Sequence, residues 1–307
     1  MSDKELPENK PLAGIYPALL TGFSDAGAFD EQRQRNIMEH VLAQDINGLY
    51  VGGSSAEAAL MDVAELMEQQ SVVAHCAQGH NKHLIAHVGQ PSLVHSVSLA
   101  KSAEALGYDA VSALPPYGVP HTSSELIDYY QRLSEKTALP LIVYEVPART
   151  GNVTPIDTLE HILNLPNVTG IKFTSADLYA LSRLRQRCPD TTIFYGSDEM
   201  FGPACAFGSD GGIGTTYNVL GSLYQALQKA ADVGGDLTKA RELQLISQNY
   251  VEVLLRVGVL PGTKATLRLL GVDCGATRAP LDLRGEEAMA LLEEAVSVTG
   301  FREWVGV

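Results

Sequence analysis

The chain has 307 residues, 45% of them hydrophobic and 19% charged, which is enough to build one large domain or two small ones around a sizeable core. Its formal net charge of −14 argues against binding nucleic acid or anionic membranes, since both need basic patches. Four cysteines (Cys76, Cys188, Cys205 and Cys274) stand far apart with no CxxC pair, as expected of free thiols in a reducing compartment.

Residues 1–11 read as a loose polar tail without the apolar core of a signal peptide, and no uncharged apolar run is long enough for a membrane span. The expectation is a soluble, cytoplasmic protein. An alternation then begins. Short apolar runs at 14–20, 48–51, 84–88, 110–114, 141–145, 168–173, 192–195 and 211–214 predict eight strands. Helical spacing falls between them at 30–44, 62–77, 92–106, 123–137, 155–165, 177–187 and 199–207. Asp62 and Ser123 or Ser124 are placed as caps, and Pro155 opens its helix.

Short strands separated by amphipathic helices point to a parallel sheet covered on both faces. Eight such units fit a closed (β/α)₈ TIM barrel, an α/β fold, better than a doubly wound sheet. No GxGxxG or GxxxxGK[ST] follows the first strand, which counts against the nucleotide-binding folds. Helices alone are expected beyond the barrel, at 219–233, 237–257, 263–270 and 286–297. The predicted division is a barrel over 1–218 and a C-terminal helical extension over 219–307.

In such a barrel the chemistry sits where the strands end. The candidates are Gly52-Gly53-Ser54-Ser55 after the second strand, Pro116-Tyr117 after the fourth, Tyr144 in the fifth and Lys172-Phe173-Thr174 in the sixth. Gly196-Ser197-Asp198-Glu199 follow the seventh, and Gly214-Thr215 the eighth. Each has a plainer reading. The Gly-Ser loop could be a turn with a helix cap, Tyr144 a packed core residue, Asp198-Glu199 a helix N-terminus, and Lys172 a snorkelling lysine. It is their joint placement that signals a site.

A metal centre built from His80, His83 and His87 is disfavoured. His83 and His87 bracket a strand, and four strand residues span roughly 13 Å, too far to share one ion. A serine hydrolase is disfavoured because no G-x-S-x-G elbow is present. Lys172 remains. A neutral amine attacks a ketone to give an imine, which then acts as an electron sink for making or breaking a C–C bond. Apolar neighbours such as Ile171 and Phe173 are expected to disfavour a charged amine. Tyr144 can carry protons, and the N–H groups and hydroxyls of Gly53-Ser54-Ser55 can hold a carboxylate. Together they suit a 2-oxo acid.

These residues resemble the pyruvate-dependent class I aldolase family that contains N-acetylneuraminate lyase and dihydrodipicolinate synthase. The likeness rests on Gly52-Gly53-Ser54-Ser55-Ala56-Glu57, Tyr144-Glu145-Val146-Pro147 and Gly170-Ile171-Lys172, followed by Thr174-Ser175, and it runs from about Leu12 onward. The resemblance implies a Schiff base at Lys172 and a proton-carrying phenol at Tyr144. It further implies that Ser54 and Ser55 hold the carboxylate and that Ile213 lines the pyruvate pocket. No cofactor or metal is implied. The partners are small molecules, and the assembly is a homotetramer built as a dimer of dimers.

Stretches such as Leu84–Gly89, Tyr195–Glu199 and Asp210–Asn218 look closer to N-acetylneuraminate lyase. In that enzyme the counterparts of Asp198, Glu199 and Thr215 hold the sugar chain. Four positions depart from this pattern. Arg149 stands where the synthase binds its substrate's carboxylate. Gly118 replaces the second tyrosine of the synthase's relay, Ala56 a usual glycine and Glu145 a usual asparagine, the last two adding bulk or charge near the pyruvate end. Arg149 could instead pair with Glu145. The expected activity is cleavage of a 2-oxo sugar acid to pyruvate and an aldehyde. The alternatives are dihydrodipicolinate synthesis, another 2-oxo acid aldolase or dehydratase, and a noncatalytic binding protein on the same fold.

Overall fold

The computed structural model describes residues 10–305, so most of the expected N-terminal tail lies outside the described residues. Eight short strands form one sheet: β1 (Gly14–Pro17), β2 (Gly48–Val51), β3 (His83–His87), β4 (Ala110–Ala113), β5 (Leu141–Glu145), β6 (Val168–Phe173), β7 (Thr192–Tyr195) and β8 (Gly211–Gly214). Their order is β1-β8-β7-β6-β5-β4-β3-β2, and the pairings along it are parallel. An isolated parallel bridge between Ala18 and Tyr50 joins the two ends. There the Leu19 N–H donates to the Tyr50 carbonyl at 2.8 Å. The side chain of Asn47 accepts from the Ile15 N–H at 2.8 Å, standing in for a ladder bond. The result is the (β/α)₈ TIM barrel read from the alternation.

Nearly every strand residue is buried, because side chains alternate between the barrel interior and the layer beneath the helices. The interior set is Tyr16, Ala18, Tyr50, Ile85, Ala110, Ile142, Phe194 and Ile213. Tyr16 packs edge-on against Phe194 with ring centres 5.4 Å apart. The opposite set, including Ile15, Leu49, Val51, Val143, Ile171, Phe173 and Ile193, joins the larger core under the helices. Each such buried aliphatic side chain contributes ~1.5–3 kcal/mol relative to exposure.

The helices are α1 (Glu31–Leu42), α2 (Val63–Ala77), α3 (Leu93–Ala105), α4 (Ser123–Ser134), α5 (Pro147–Thr150), α6 (Ile156–Leu163), α7 (Leu178–Arg187) and α8 (Phe201–Ala206). They continue with α9 (Tyr217–Ala231), α10 (Leu237–Val257), α11 (Val259–Leu269), α12 (Ala288–Ser297) and α13 (Thr299–Arg302). Asp62 caps α2 in a full capping box with Glu65. The cap of α4 is Thr122, boxed by Glu125, one residue before the expected serines. Sequence periodicity did not announce α5, a single turn that carries Arg149. Among the described residues no helix is long and apolar enough to cross a membrane.

Candidate active site

Strand register brings the two chief candidates together. Lys172 on β6 lies directly beside Tyr144 on β5 and Phe194 on β7, so Lys172 and Tyr144 project to the same side of the sheet. Lys172 is only 4% exposed. Its Nζ lies 4.1 Å from the centre of the Tyr144 ring and 4.5 Å from that of Tyr50. Two aromatic faces therefore surround the amine. Ile171 and Phe173, expected to provide its apolar surroundings, belong to the core under the helices, because alternation turns them the other way.

Tyr50 and His87 complete this aromatic floor, and neither was picked out from the sequence as a site residue. The Tyr50 hydroxyl donates to Ser112 Oγ at 3.1 Å. The His87 ring meets Tyr144 edge-on at 5.9 Å. Its Nδ1 lies 3.0 Å from the Gly52 carbonyl, and the Leu114 N–H donates to Nε2 at 3.4 Å. This pattern fits a neutral ring protonated on Nδ1. Burial, with a smaller push from the Lys172 charge, lowers its pKa to about 3. The usable signal was its position at the end of β3. His83, at the opposite end of that strand, meets Asp109 at 3.3 Å.

Burial pushes the Tyr144 phenol up, but the charge of Lys172, the Ser54 hydroxyl and the charge of Arg149 outweigh it and hold the phenol below its ordinary value. Ser54 and Ser55 lie in a 3₁₀ turn over Ser54–Ala56 directly after Gly53, and Ser55 Oγ meets Thr215 Oγ1 at 2.7 Å. Thus Thr215, expected on the sugar side, is bonded to the loop that carries Ser54 and Ser55.

On the far side of the mouth, Asp198 Oδ2 accepts from the Thr216 N–H at 2.8 Å and from Thr216 Oγ1 at 2.6 Å. Burial pushes its carboxyl from 3.8 up to about 6 despite these two bonds. Asp198 Oδ1 packs so closely over Gly214 that a Cβ there would stand 2.1 Å away. Glu199 is exposed. A Cβ on Gly196 would fall 1.9 Å from Thr174 Oγ1 and 3.3 Å from Lys172 Cε. That threonine hydroxyl is buried with no partner, leaving a polar atom beside the lysine stem. Ile213 lies fully buried in the barrel interior.

A cleft of about 750 Å³ opens beside this group, lined at the barrel mouth by Ser54, His87, Tyr117 and Arg149 and closed by Leu260 and Arg284 of the C-terminal extension. Asp198, Glu199 and Thr215 do not line it. Arg149 forms no ion pair with Glu145. The Glu145 carboxylate is turned away from the barrel interior, accepting from the Thr154 N–H at 3.1 Å and the Thr154 hydroxyl at 2.7 Å. Its charge is therefore not delivered to the pyruvate end as expected. Burial also pushes this carboxyl above its ordinary value.

Comparison with known proteins agrees with the geometry. The dihydrodipicolinate synthetase family matches residues 11–298. N-acetylneuraminate lyase of Rhizobium meliloti (strain 1021) is 41% identical over 293 residues, covering 95% of this chain and 97% of its own. The lyase of Citrobacter koseri is 39% identical, covering 86% and 88%. Among solved structures, CdNal from Clostridium difficile in complex with mannosamine has a TM-score of 0.90 at 31% identity, covering 96% of this chain and all of that one (100%). N-acetylneuraminate lyase from Fusobacterium nucleatum has a TM-score of 0.88 at 31% identity, covering 94% and 99%. The chain belongs to the dihydrodipicolinate synthetase family and is a class I, carbon–carbon-bond lyase of the N-acetylneuraminate lyase type.

Proposed function

We propose that the protein cleaves N-acetylneuraminate, or a close 2-oxo sugar acid, to pyruvate and an amino-sugar aldehyde through an imine on Lys172. The observation that carries this reading is the buried Lys172 amine, set against the Tyr144 and Tyr50 rings in register with Tyr144. The amine attacks the C2 carbonyl and water leaves, giving a protonated imine. Tyr144, as phenolate, takes the proton of the C4 hydroxyl. The C3–C4 bond breaks, the aldehyde departs, and the electron pair moves into an enamine. The Tyr144 phenol returns that proton to C3, which restores the phenolate, and hydrolysis of the imine releases pyruvate and restores the amine. The imine itself is the electron sink, so the scheme calls for no metal or cofactor.

In this reading Ser54, Ser55 and the Gly53 backbone hold the carboxylate, and Ile213 borders the pyruvate methyl group. Asp198, Glu199, Gly196, Gly214 and Thr215 serve the hydroxyl-rich half, and Thr174 offers its unpartnered hydroxyl beside the amine. Catalytic residues fall within 1–218, and the extension over 219–307 closes the cleft. Four free cysteines support a reducing, cytoplasmic setting, and the family resemblance supports a homotetramer.

Arg149 favours a second reading. Its exposed position on the cleft, in no ion pair among the described residues, suits an acidic aldehyde such as aspartate semialdehyde. Gly118, where the synthase carries its second relay tyrosine, weighs against that reading. Incubation with pyruvate and borohydride, followed by mass spectrometry, should add one reduced pyruvate to Lys172, and absence of the adduct would sink both readings. Pyruvate release from N-acetylneuraminate, compared with condensation of pyruvate and aspartate semialdehyde, then separates them. Activity in the second assay alone would overturn the first choice.

A further inference from the structure

Directly behind the Gly-Ser-Ser loop lies an ion pair that the proposed chemistry does not use. Lys264 of α11 places Nζ 3.0 Å from Glu57 Oε1, and both side chains are fully buried. The same ammonium donates to the Ala276 carbonyl at 2.8 Å and stands 4.5 Å over the Phe23 ring. The other carboxylate oxygen of Glu57 accepts the Arg278 N–H at 2.7 Å. Arg278 lies over the same phenylalanine ring at 4.3 Å and grips Glu65 of α2 at 2.6 Å. Residues of the C-terminal extension are thus fastened to the base of the loop through one carboxylate.

Two physical points argue that this carboxylate does more than fill space. Glu57 has φ +62°, in the left-handed region where glycine is at ease and a longer side chain is strained. It is also the hinge between two 3₁₀ turns, Ser54–Ala56 and Ala58–Leu60, and its N–H donates to the Ser54 carbonyl at 3.2 Å. A residue kept there at a cost in backbone strain is one whose side chain is needed. A buried ion pair is in addition a weak source of stability, since well-packed apolar residues serve as well or better. What an ion pair supplies is a fixed geometry. Burial lowers the Lys264 amine from its ordinary value, and the adjacent Glu57 carboxylate opposes that shift.

We propose that Glu57 and Lys264 are positioning residues that fix the turn bearing Ser54 and Ser55, so that the C-terminal extension sets the affinity of the site for the 2-oxo acid carboxylate. The inference rests on the reading above that this turn holds the carboxylate. On this account the pair acts first on binding of pyruvate and reaches the aldehyde half only through the Ser55–Thr215 hydrogen bond.

The test uses the full-length enzyme, Glu57→Gln, and the double variant Glu57→Gln/Lys264→Met. The first keeps an acceptor for the Arg278 N–H, and the second leaves no unpaired buried charge. Schiff-base trapping by borohydride is followed against pyruvate concentration, together with steady-state KM for pyruvate and for the aldehyde in the condensation direction. Each variant should raise the half-saturating pyruvate concentration about tenfold, the scale expected of a slightly misplaced binding group, with a smaller rise in the aldehyde KM, while kcat falls only as far as Ser54 loosens its hold on the Tyr144 phenol. Unchanged pyruvate dependence in folded variants would overturn the inference. So would equal losses on both substrates, or failure of both variants to fold, since each marks the pair as purely structural. If the wild-type enzyme traps no pyruvate, the functional reading has failed. If it traps and the variants trap alike, only this inference has failed.

Discussion

Replacing Asp198 with asparagine should stabilise the protein above pH 6 and make it slightly less stable below pH 4. Burial raises the carboxyl from 3.8 to about 6, so the native state holds this proton more tightly than the unfolded chain does. The stabilisation from the protonated form is complete below pH 3.8 and is lost as pH rises through 6. A gap of about 2 pH units corresponds to ~3 kcal/mol at the upper limit. Asparagine keeps an oxygen for the two Thr216 donors but sets an N–H₂ near Gly214, which offsets about 1–2 kcal/mol if unpartnered. The net gain at pH 7–8 is then ~1–2 kcal/mol. Urea unfolding of both proteins from pH 4 to pH 8, at one fixed protein concentration, measures it. A gain independent of pH, or one largest in acid, would refute the reasoning. The same substitution should weaken use of hydroxyl-rich aldehydes, so that stability and function move in opposite directions.

Tyr144→Phe should lower kcat by about 10²–10⁴-fold, as loss of a proton-transfer group does, while borohydride still traps pyruvate on Lys172. Loss of trapping would show that the phenol is needed for imine formation rather than for cleavage. Arg149→Ala removes a charge that helps hold the Tyr144 phenol down, so the rising limb of kcat against pH should move to higher pH. It should also weaken acidic aldehydes more than neutral ones, and equal losses would make its role structural. Gly196→Ala drives a methyl group into Thr174 and the Lys172 stem, which should cost ~1–3 kcal/mol of stability and most of the activity. A normal melting temperature and kcat/KM would show that the loop yields freely.

Several strands were legible to the residue, among them 48–51, 141–145, 168–173, 192–195 and 211–214, because short apolar runs between turn residues admit few alternatives. Lys172 was legible because a charge inside such a run needs a reason, and Tyr144 only through its place among the strand-end candidates and the motif around it. What surrounds them was not. Tyr50 reads as an ordinary core residue until register brings its ring under the amine, and His87 has no local mark beyond its place at a strand end. The inward or outward sense of Ile171, Phe173 and Glu145 follows from barrel alternation, whose phase the sequence leaves open. The Glu57–Lys264 pair joins distant parts of the chain, and no local pattern reports it.

The bridge that joins β1 to β2 has a consequence for motion. The strands β1 and β8 pair over four residues, whereas Ala18–Tyr50 is a lone bridge helped by an asparagine side chain. Local opening concentrates where cross-strand bonds are fewest, so the amides of Ile15 and Leu19 should exchange with deuterium sooner than those of β6. Tyr50 stands on this seam, and its ring centre lies 4.5 Å from the Lys172 amine on which the imine is proposed to form. A pyruvate adduct reduced onto Lys172 should therefore slow exchange along the seam. The barrel's loosest joint would then report occupancy of its centre.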